Sequence, residues 1–341
     1  MHKIAFFNNK GRVGKTTMVY NLSYMFSELG YTVLTVDLDP QSNLSSMFLN
    51  VERLEQTLED DANLTVLDAI TPIAEGEGYS GVHIERISER IGLIIGNLSL
   101  SLYEDKFSDA WLKCLDGDVY SFKVISAFKT AIEDAAKAIG ADVVLIDVGP
   151  NLGAINRTAL LSADSVIIPA ASDLFSLQGI KNLGKTLLNW KVGWAKREQT
   201  YSKPDKSLIP SGKVLPRGYI VMQYTAKEKR PVKAYLKFAD RIPGVYAKFV
   251  LQKAAVAKRV DDDKQCLGLL KHYHSLASMS IEAKKPIFLL KPGDGAMGAH
   301  VQAARKAYQD FSLIAEKIVE VCQIRKNEVD VYLDKSKSSK Y

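Results

Sequence analysis

With 341 residues, 47% of them hydrophobic and 25% charged, the chain has ordinary globular composition and can bury one large α/β core or two modest ones. No run of about 18 apolar residues occurs, which excludes a spanning helix. MHKIAFFNNK is too short an apolar start for a secretory signal, and Cys114, Cys266 and Cys322 lack the spacing of a disulfide framework or zinc ribbon, so a cytoplasmic protein is expected. The formal charge of +6 conceals two unlike halves. Residues 1–150 carry 12 Lys and Arg against 22 Asp and Glu, whereas 151–341 carry 33 against 17. Such a basic half suits nucleic acid or an acidic partner, but a solvated Lys-rich surface has the same composition.

Apolar runs alternate with helical patterns, as a parallel sheet demands. Lys3–Phe7 reads as a first strand, followed by a polar loop and a helix from about Lys15 to Leu29 that Gly30 ends. Tyr31–Val36 is a second strand. Residues 44–90 are acidic and helical or irregular, broken at Thr71-Pro72 and at 76–81. Ile91–Ile95 is a strand, Ser121–Ile139 a helix, and Val143–Ile146 and Ser165–Ile168 are buried strands ended by Asp147 and Pro169. A helix from Ser176 to Trp194 precedes a polar, Pro-containing insertion at 195–217. Tyr219–Gln223 resumes the sheet, 226–285 reads as Lys-rich helix, Pro286–Leu290 as a last strand, and 299–325 as a long amphipathic helix. The predicted fold is a doubly wound, mostly parallel α/β sheet with helices on both faces. It forms one domain over 1–325, followed by a basic, flexible tail over 326–341.

The chemistry concentrates between the first strand and the first helix, in Asn8-Asn9-Lys10-Gly11-Arg12-Val13-Gly14-Lys15-Thr16-Thr17. Amides around Gly14 and the helix N-terminus can wrap phosphate oxygens. Lys15 would reach the β- and γ-phosphates, and the Thr16 hydroxyl would ligate Mg²⁺. Asn9 stands where the general GxxxxGK[ST] pattern has its first glycine, and the loop matches the deviant form KGGxGKT instead. Two strands then end in carboxylates, one in Asp37-Leu38-Asp39-Pro40-Gln41 and the other in Asp147. At the C-terminal edge of a parallel sheet such groups face the ligand crevice. One can hold Mg²⁺ through water while the other orients or deprotonates an attacking water.

On these residues the chain resembles the ParA/MinD family of deviant Walker ATPases, and its ParA partition branch more closely. The phosphate loop, VLTVDLDPQSNLS (Val33–Ser45), VVLIDVGPNLG (Val143–Gly153) and the stretch Thr158–Gly179 all look like the family's. The likeness is strong over 1–50 and 120–190, patchy over 219–325 and absent from 195–217. It implies ATP and Mg²⁺ as ligands, with Lys10, Gly11, Arg12, Val13, Gly14, Lys15, Thr16 and Thr17 around the phosphates. It further implies a catalytic set of Lys10, Lys15, Asp37 and Asp147. Lys10 would cross an ATP-dependent homodimer to the partner's nucleotide, Asp37 would position the hydrolytic water, and Asp147 would support the metal that Thr16 holds, with Asp37 also beside it. By position in the fold, Gln223 would border the adenine. Arg12 replaces a family glycine, at a cost of ~1 kcal/mol wherever the backbone turns left-handed. Slow hydrolysis without a ParB-like or other activating partner is expected. Gly149-Pro150 stands where the family usually has two prolines.

What the ATP form would hold depends on the surface. Lys227, Lys229, Arg230, Lys233, Lys237 and Arg241 make the best candidate strip for non-specific DNA phosphates, which implies a nucleoid-associated protein. No helix-turn-helix pattern precedes the first strand. The tail after Glu328 is too poor in apolar residues for a membrane helix, so no membrane partner is expected. The alternatives are a positioning ATPase that binds no DNA and a metabolic enzyme on the same fold. For the second, His272-Tyr273-His274 is the one suggestive cluster, and a helical pair of exposed and packed histidines is the preferred account of it.

Overall fold

The computed structural model describes all residues except 12, 60, 61, 225, 228, 229, 232–236, 255, 256 and 328–341, and gives backbone alone for 223, 224, 226, 227, 230 and 231. Strands in chain order are β1 (His2–Phe6), β2 (Val33–Leu38), β3 (Glu85–Arg86), β4 (Ile91–Ile94), β5 (Val143–Val148), β6 (Ser165–Ala171), β7 (Leu215–Tyr224), β8 (Ala226–Lys227), β9 (Arg230–Pro231) and β10 (Cys266–Lys271). Eight form one sheet in the order β10-β7-β6-β1-β5-β2-β4-β3, parallel throughout except for the short β3 at one edge. β8 and β9 make a separate two-stranded ribbon.

The central strands are apolar at consecutive positions because both faces of the sheet are covered. Alternate residues of β1 serve opposite layers. Ala5 packs beneath helices that include Ala127–Ala138 and Leu174–Thr200, while Ile4 and Phe6 pack beneath Lys15–Glu28 and Ala299–Cys322. The predicted doubly wound α/β architecture is therefore the observed one.

Several boundaries differ for physical reasons. The helix read over Ser121–Ile139 breaks at Ser126 into Val119–Ile125 and Ala127–Ala138, and Ser126 Oγ turns back to the Phe122 carbonyl. The helix after β6 continues to Thr200, and β7 begins at Leu215. The insertion is thus shorter than 195–217, and Trp194 Nε1 anchors it by donating to the Pro210 carbonyl at 2.7 Å. Pro286–Leu290 is not a strand. Ile287–Leu289 is a 3₁₀ turn buried against Ala299–Cys322. Cys266–Lys271, inside the segment read as helix, takes the sheet edge beside β7 instead. Short apolar runs fit a strand or a buried turn equally well, so periodicity does not separate these two. The expected tail lies outside the described residues from 328 onward.

One close helix contact helps seat the Lys-rich region on the core. Helix Leu174–Thr200 meets helix Ile242–Phe249 at Gly184, where a Cβ would lie 2.2 Å from the Phe249 carbonyl oxygen and 2.6 Å from its carbon. Both opposing atoms are backbone and cannot rotate away. Gly184→Ala should therefore lower the unfolding free energy by about 1–3 kcal/mol. A urea unfolding curve checks it, and an unchanged midpoint would mean that the two helices separate without cost.

Candidate nucleotide site

The loop that leaves β1 is held from both sides. Asn8 Nδ2 donates to the Pro169 carbonyl at 2.5 Å, and Asn8 Oδ1 accepts from the Lys10 amide at 3.0 Å. At Gly14 the chain turns left-handed, with φ of 84°, and enters helix Lys15–Glu28, whose first turn carries no side-chain cap. A left-handed residue at this point favours glycine. The uncapped N-terminus leaves helix amides and the positive end of the helix dipole facing the cleft.

Behind this turn lies a compact charge cluster. β2 and β5 run parallel in a register that places Asp37 opposite Asp147. Lys15, 7% exposed, reaches Asp147 Oδ1 at 2.8 Å and approaches Asp39 Oδ2 at 3.9 Å. Thr16 Oγ1 donates to Asp147 Oδ2 at 2.7 Å. Burial raises the Asp147 pKa, against the pull of Lys15 and Thr16 toward the ionised form.

Asp37 sits differently from the position expected of it. It is fully buried, and its Oδ2 accepts from both the Ser45 amide, at 2.8 Å, and the Ser45 hydroxyl, at 2.7 Å. Burial first and Asp147 second push its pKa up to about 7, although the Ser45 bonds oppose this. Its carboxylate is committed to tying β2 to helix Asn43–Phe48. Asp39, just past the end of β2, lines the cleft in its place, with Oδ1 accepting from the Gln41 amide at 3.0 Å. The carboxylate that faces the crevice is thus two residues beyond the one singled out from sequence.

The cleft, about 510 Å³, is lined by Lys10, Gly11, Val13, Gly14, Lys15, Thr16 and Thr17 on one side and by Asp39, Asn43, Met47 and Pro150 around it. Arg12 lies outside the described residues. Lys10, on the lining, is already paired. Its ammonium pairs with Asp173, which also caps helix Leu174–Thr200 by accepting from the Ser176 amide at 2.8 Å. Burial pushes Asp173 upward, but Lys10 and that amide outweigh it, and its pKa falls below the usual carboxylate range. Beside Gly14 and Thr17 a smaller apolar recess of about 100 Å³ is walled by Met222, Leu270, His272, Tyr273 and Ala277.

Gln223 follows Met222 in β7, but its side chain is outside the described set. His272 and His274 are not on a helix. They follow β10, their rings 4.3 Å apart, and His274 turns to a φ of 43° before helix Ser275–Ala283. Sequence reasoning named His272 and Tyr273 but not their place beside the loop, which the unrecognised strand Cys266–Lys271 sets.

The donor set suits a nucleoside triphosphate with Mg²⁺. It offers backbone amides and one ammonium for phosphate, and a hydroxyl beside carboxylates for a hard cation. Among the described residues no three His, Cys, Asp or Glu side chains are grouped to hold a metal ion.

A family model described as "AAA domain" matches residues 1–196, more than half of the chain. Soj, the chromosome-partitioning ATPase of Thermus thermophilus, is 28% identical over 57% of this chain and 64% of its own length. The chain belongs to the ParA/MinD family of ATPases. An uncharacterized protein of Methanocaldococcus jannaschii is 27% identical over 76% of this chain and 87% of that one. A crystal structure of a protein from Corynebacterium diphtheriae superposes with a TM-score of 0.68 at 28% identity, covering 83% of this chain and 97% of that one. The family includes partition ATPases such as Soj, and the sheet seen here is eight-stranded and mostly parallel.

Among the described residues no helix is long and apolar enough to cross a membrane. Of the basic strip, Lys237 and Arg241 are exposed, Arg241 at the start of helix Ile242–Phe249. Lys227 and Arg230 face each other across the β8–β9 ribbon by backbone register. Lys229 and Lys233 lie outside the described residues. Lys248 and Lys181, from two packed helices, both approach the Phe249 ring, at 5.6 and 5.5 Å.

Proposed function

We propose that the protein is an ATP-switched partition ATPase. It dimerises on Mg-ATP, holds DNA without reading its sequence, and lets go after a partner protein stimulates hydrolysis. The observation that carries this reading is the uncapped helix N-terminus with Lys15 buried between Asp147 and Asp39. Bound Mg²⁺ would neutralise charge developing on the phosphates. Lys15 would exchange its carboxylate partners for the β- and γ-phosphates, and Asp147 would steady the Thr16 hydroxyl that would hold the metal. Asp39, the carboxylate on the cleft, orients the attacking water. Lys10 leaves Asp173 to reach the nucleotide of the second subunit. Hydrolysis then removes the γ-phosphate that joins the two faces.

The DNA surface is built from Lys237 and Arg241 together with the cluster around Phe249, where Lys181 and Lys248 converge. Phosphate contacts of this kind release counterions, so binding falls steeply with salt. Alanine at Lys237 and at Arg241 should each lower the salt slope of ATP-dependent DNA binding by about one, roughly equally on unrelated sequences. The test is retention of an arbitrary duplex with no nucleotide, ADP, ATP or a non-hydrolysable analogue, across a salt series. Retention restricted to ATP and the analogue supports the reading. Absence of retention in every state, with nucleotide binding intact, would leave a positioning ATPase that uses no DNA.

A further inference from the structure

Between β5 and helix Ala154–Leu161 the chain turns through Gly149-Pro150-Asn151-Leu152-Gly153, and Pro150 borders the nucleotide cleft. One fully buried side chain from the helix holds the start of that turn. Asn156 Oδ1 accepts the Gly149 amide at 3.1 Å. Its Nδ2 donates to the Gly149 carbonyl at 2.8 Å and shares its hydrogens with the Asn151 carbonyl at 2.7 Å and side-chain oxygen at 2.9 Å. The reverse amide orientation would set donor against donor at Gly149 and acceptor against acceptor at both carbonyls, so this network admits one orientation. The helix that carries Asn156 is itself fixed. Glu104 accepts from the Ala154 amide and, at 3.1 Å, from the Ile155 amide.

The turn so held passes close to the carboxylate assigned to the water. A Cβ at Gly149 would be 3.4 Å from Asp39 Oδ1, in ordinary contact. Resting on the reading of Asp39 above, we infer that Asn156 is a positioning residue for ATP hydrolysis. Through the Gly149 N–H it keeps the turn packed against Asp39 and so sets where that carboxylate faces. Proline at 149 would supply no N–H for Asn156 to accept, so the clamp requires a residue that keeps its amide. Hydrogen bonds here do the work that ring stiffness does in a Pro-Pro turn.

Steady-state ATPase kinetics on the full chain, with thermal melts alongside, test this as a cycle. Asn156→Ala should lower kcat about 10-fold with KM for ATP within about 2-fold, since the phosphate loop is untouched. Gly149→Pro alone should also lower kcat, because it orphans a buried Asn156 acceptor. The double variant should recover most of the loss, as proline stiffens a turn that no longer needs the bond. An unchanged kcat in Asn156→Ala, or losses that simply multiply in the double variant, would overturn the inference. A second readout stands apart from turnover and from the folding of any variant. The wild-type Gly149 amide should exchange with deuterium at least about 10-fold more slowly than an open-loop amide, and fast exchange would also overturn the inference. Wild-type protein that binds ATP but never hydrolyses it would sink the reading of Asp39, while Gly149 exchange would still judge the Asn156 clamp.

Discussion

Lys15→Ala should lose ATP turnover by at least about 10²–10³-fold, with the loss set by transition-state charge as well as by binding. The buried ammonium is placed to meet charge that grows on the transferring phosphoryl oxygens. Its removal has a second consequence in the absence of nucleotide. Asp147 would keep the Thr16 hydroxyl but lose its cationic partner at 2.8 Å, and Asp39 would lose the nearby charge. Removing one partner of a buried pair costs about 3–5 kcal/mol, so the variant should also unfold earlier without nucleotide. Arginine at this position keeps the charge but not the compact shape and should not restore turnover. Isothermal titration with ATP, an unfolding curve and phosphate release together check the prediction. Turnover near wild type in Lys15→Ala would mean that chemistry occurs elsewhere.

Asp39→Ala should uncouple binding from hydrolysis. Loss of a positioned acid–base or water-orienting group costs about 10²–10⁴-fold in rate, while the phosphate loop, Lys15 and Thr16 remain to hold the nucleotide. The variant should therefore accumulate in its ATP-bound state, visible as retained nucleotide and a persistent dimer. Asp37→Asn separates the two carboxylates. Asp37 is buried against Ser45 and does not line the cleft, so its replacement should act on stability and pH response more than on the chemical step. Phosphate-release kinetics with both variants decide between them. A larger rate loss in Asp37→Asn than in Asp39→Ala would restore the role first assigned to Asp37.

That substitution of one carboxylate for another marks the limit of what the chain discloses on its own. The phosphate loop was legible because it is local. A strand, a Gly-Lys-Thr turn and an apolar-periodic helix stand in consecutive residues, and the observed turn at Gly14 is where glycine was needed. The strand-end carboxylates were legible as a pair for the same reason. Which of Asp37 and Asp39 faces the crevice depends on where β2 stops and on Ser45, eight residues away in a different element. Spacing carries no such information. β10 was hidden because Cys266–Lys271 contains a glycine and lies between an Asp-rich turn and two histidines, with strand character conferred by the exposed edge of β7. Pro286–Leu290 erred in the opposite direction, since its burial comes from the long C-terminal helix. Lys10 was read as a lysine that crosses to a second subunit, and its pairing with Asp173 is visible only in three dimensions.

The central claim is that ATP acts as an assembly signal and not merely as fuel. Sedimentation velocity on the full chain with no nucleotide, with Mg-ADP, and with Mg and a non-hydrolysable ATP analogue tests it most directly. The account predicts a monomer in the first two conditions and twice that mass with the analogue, and a return to monomer when Lys10 is replaced by alanine. A single mass in all three conditions, with the analogue shown to be bound, would contradict it.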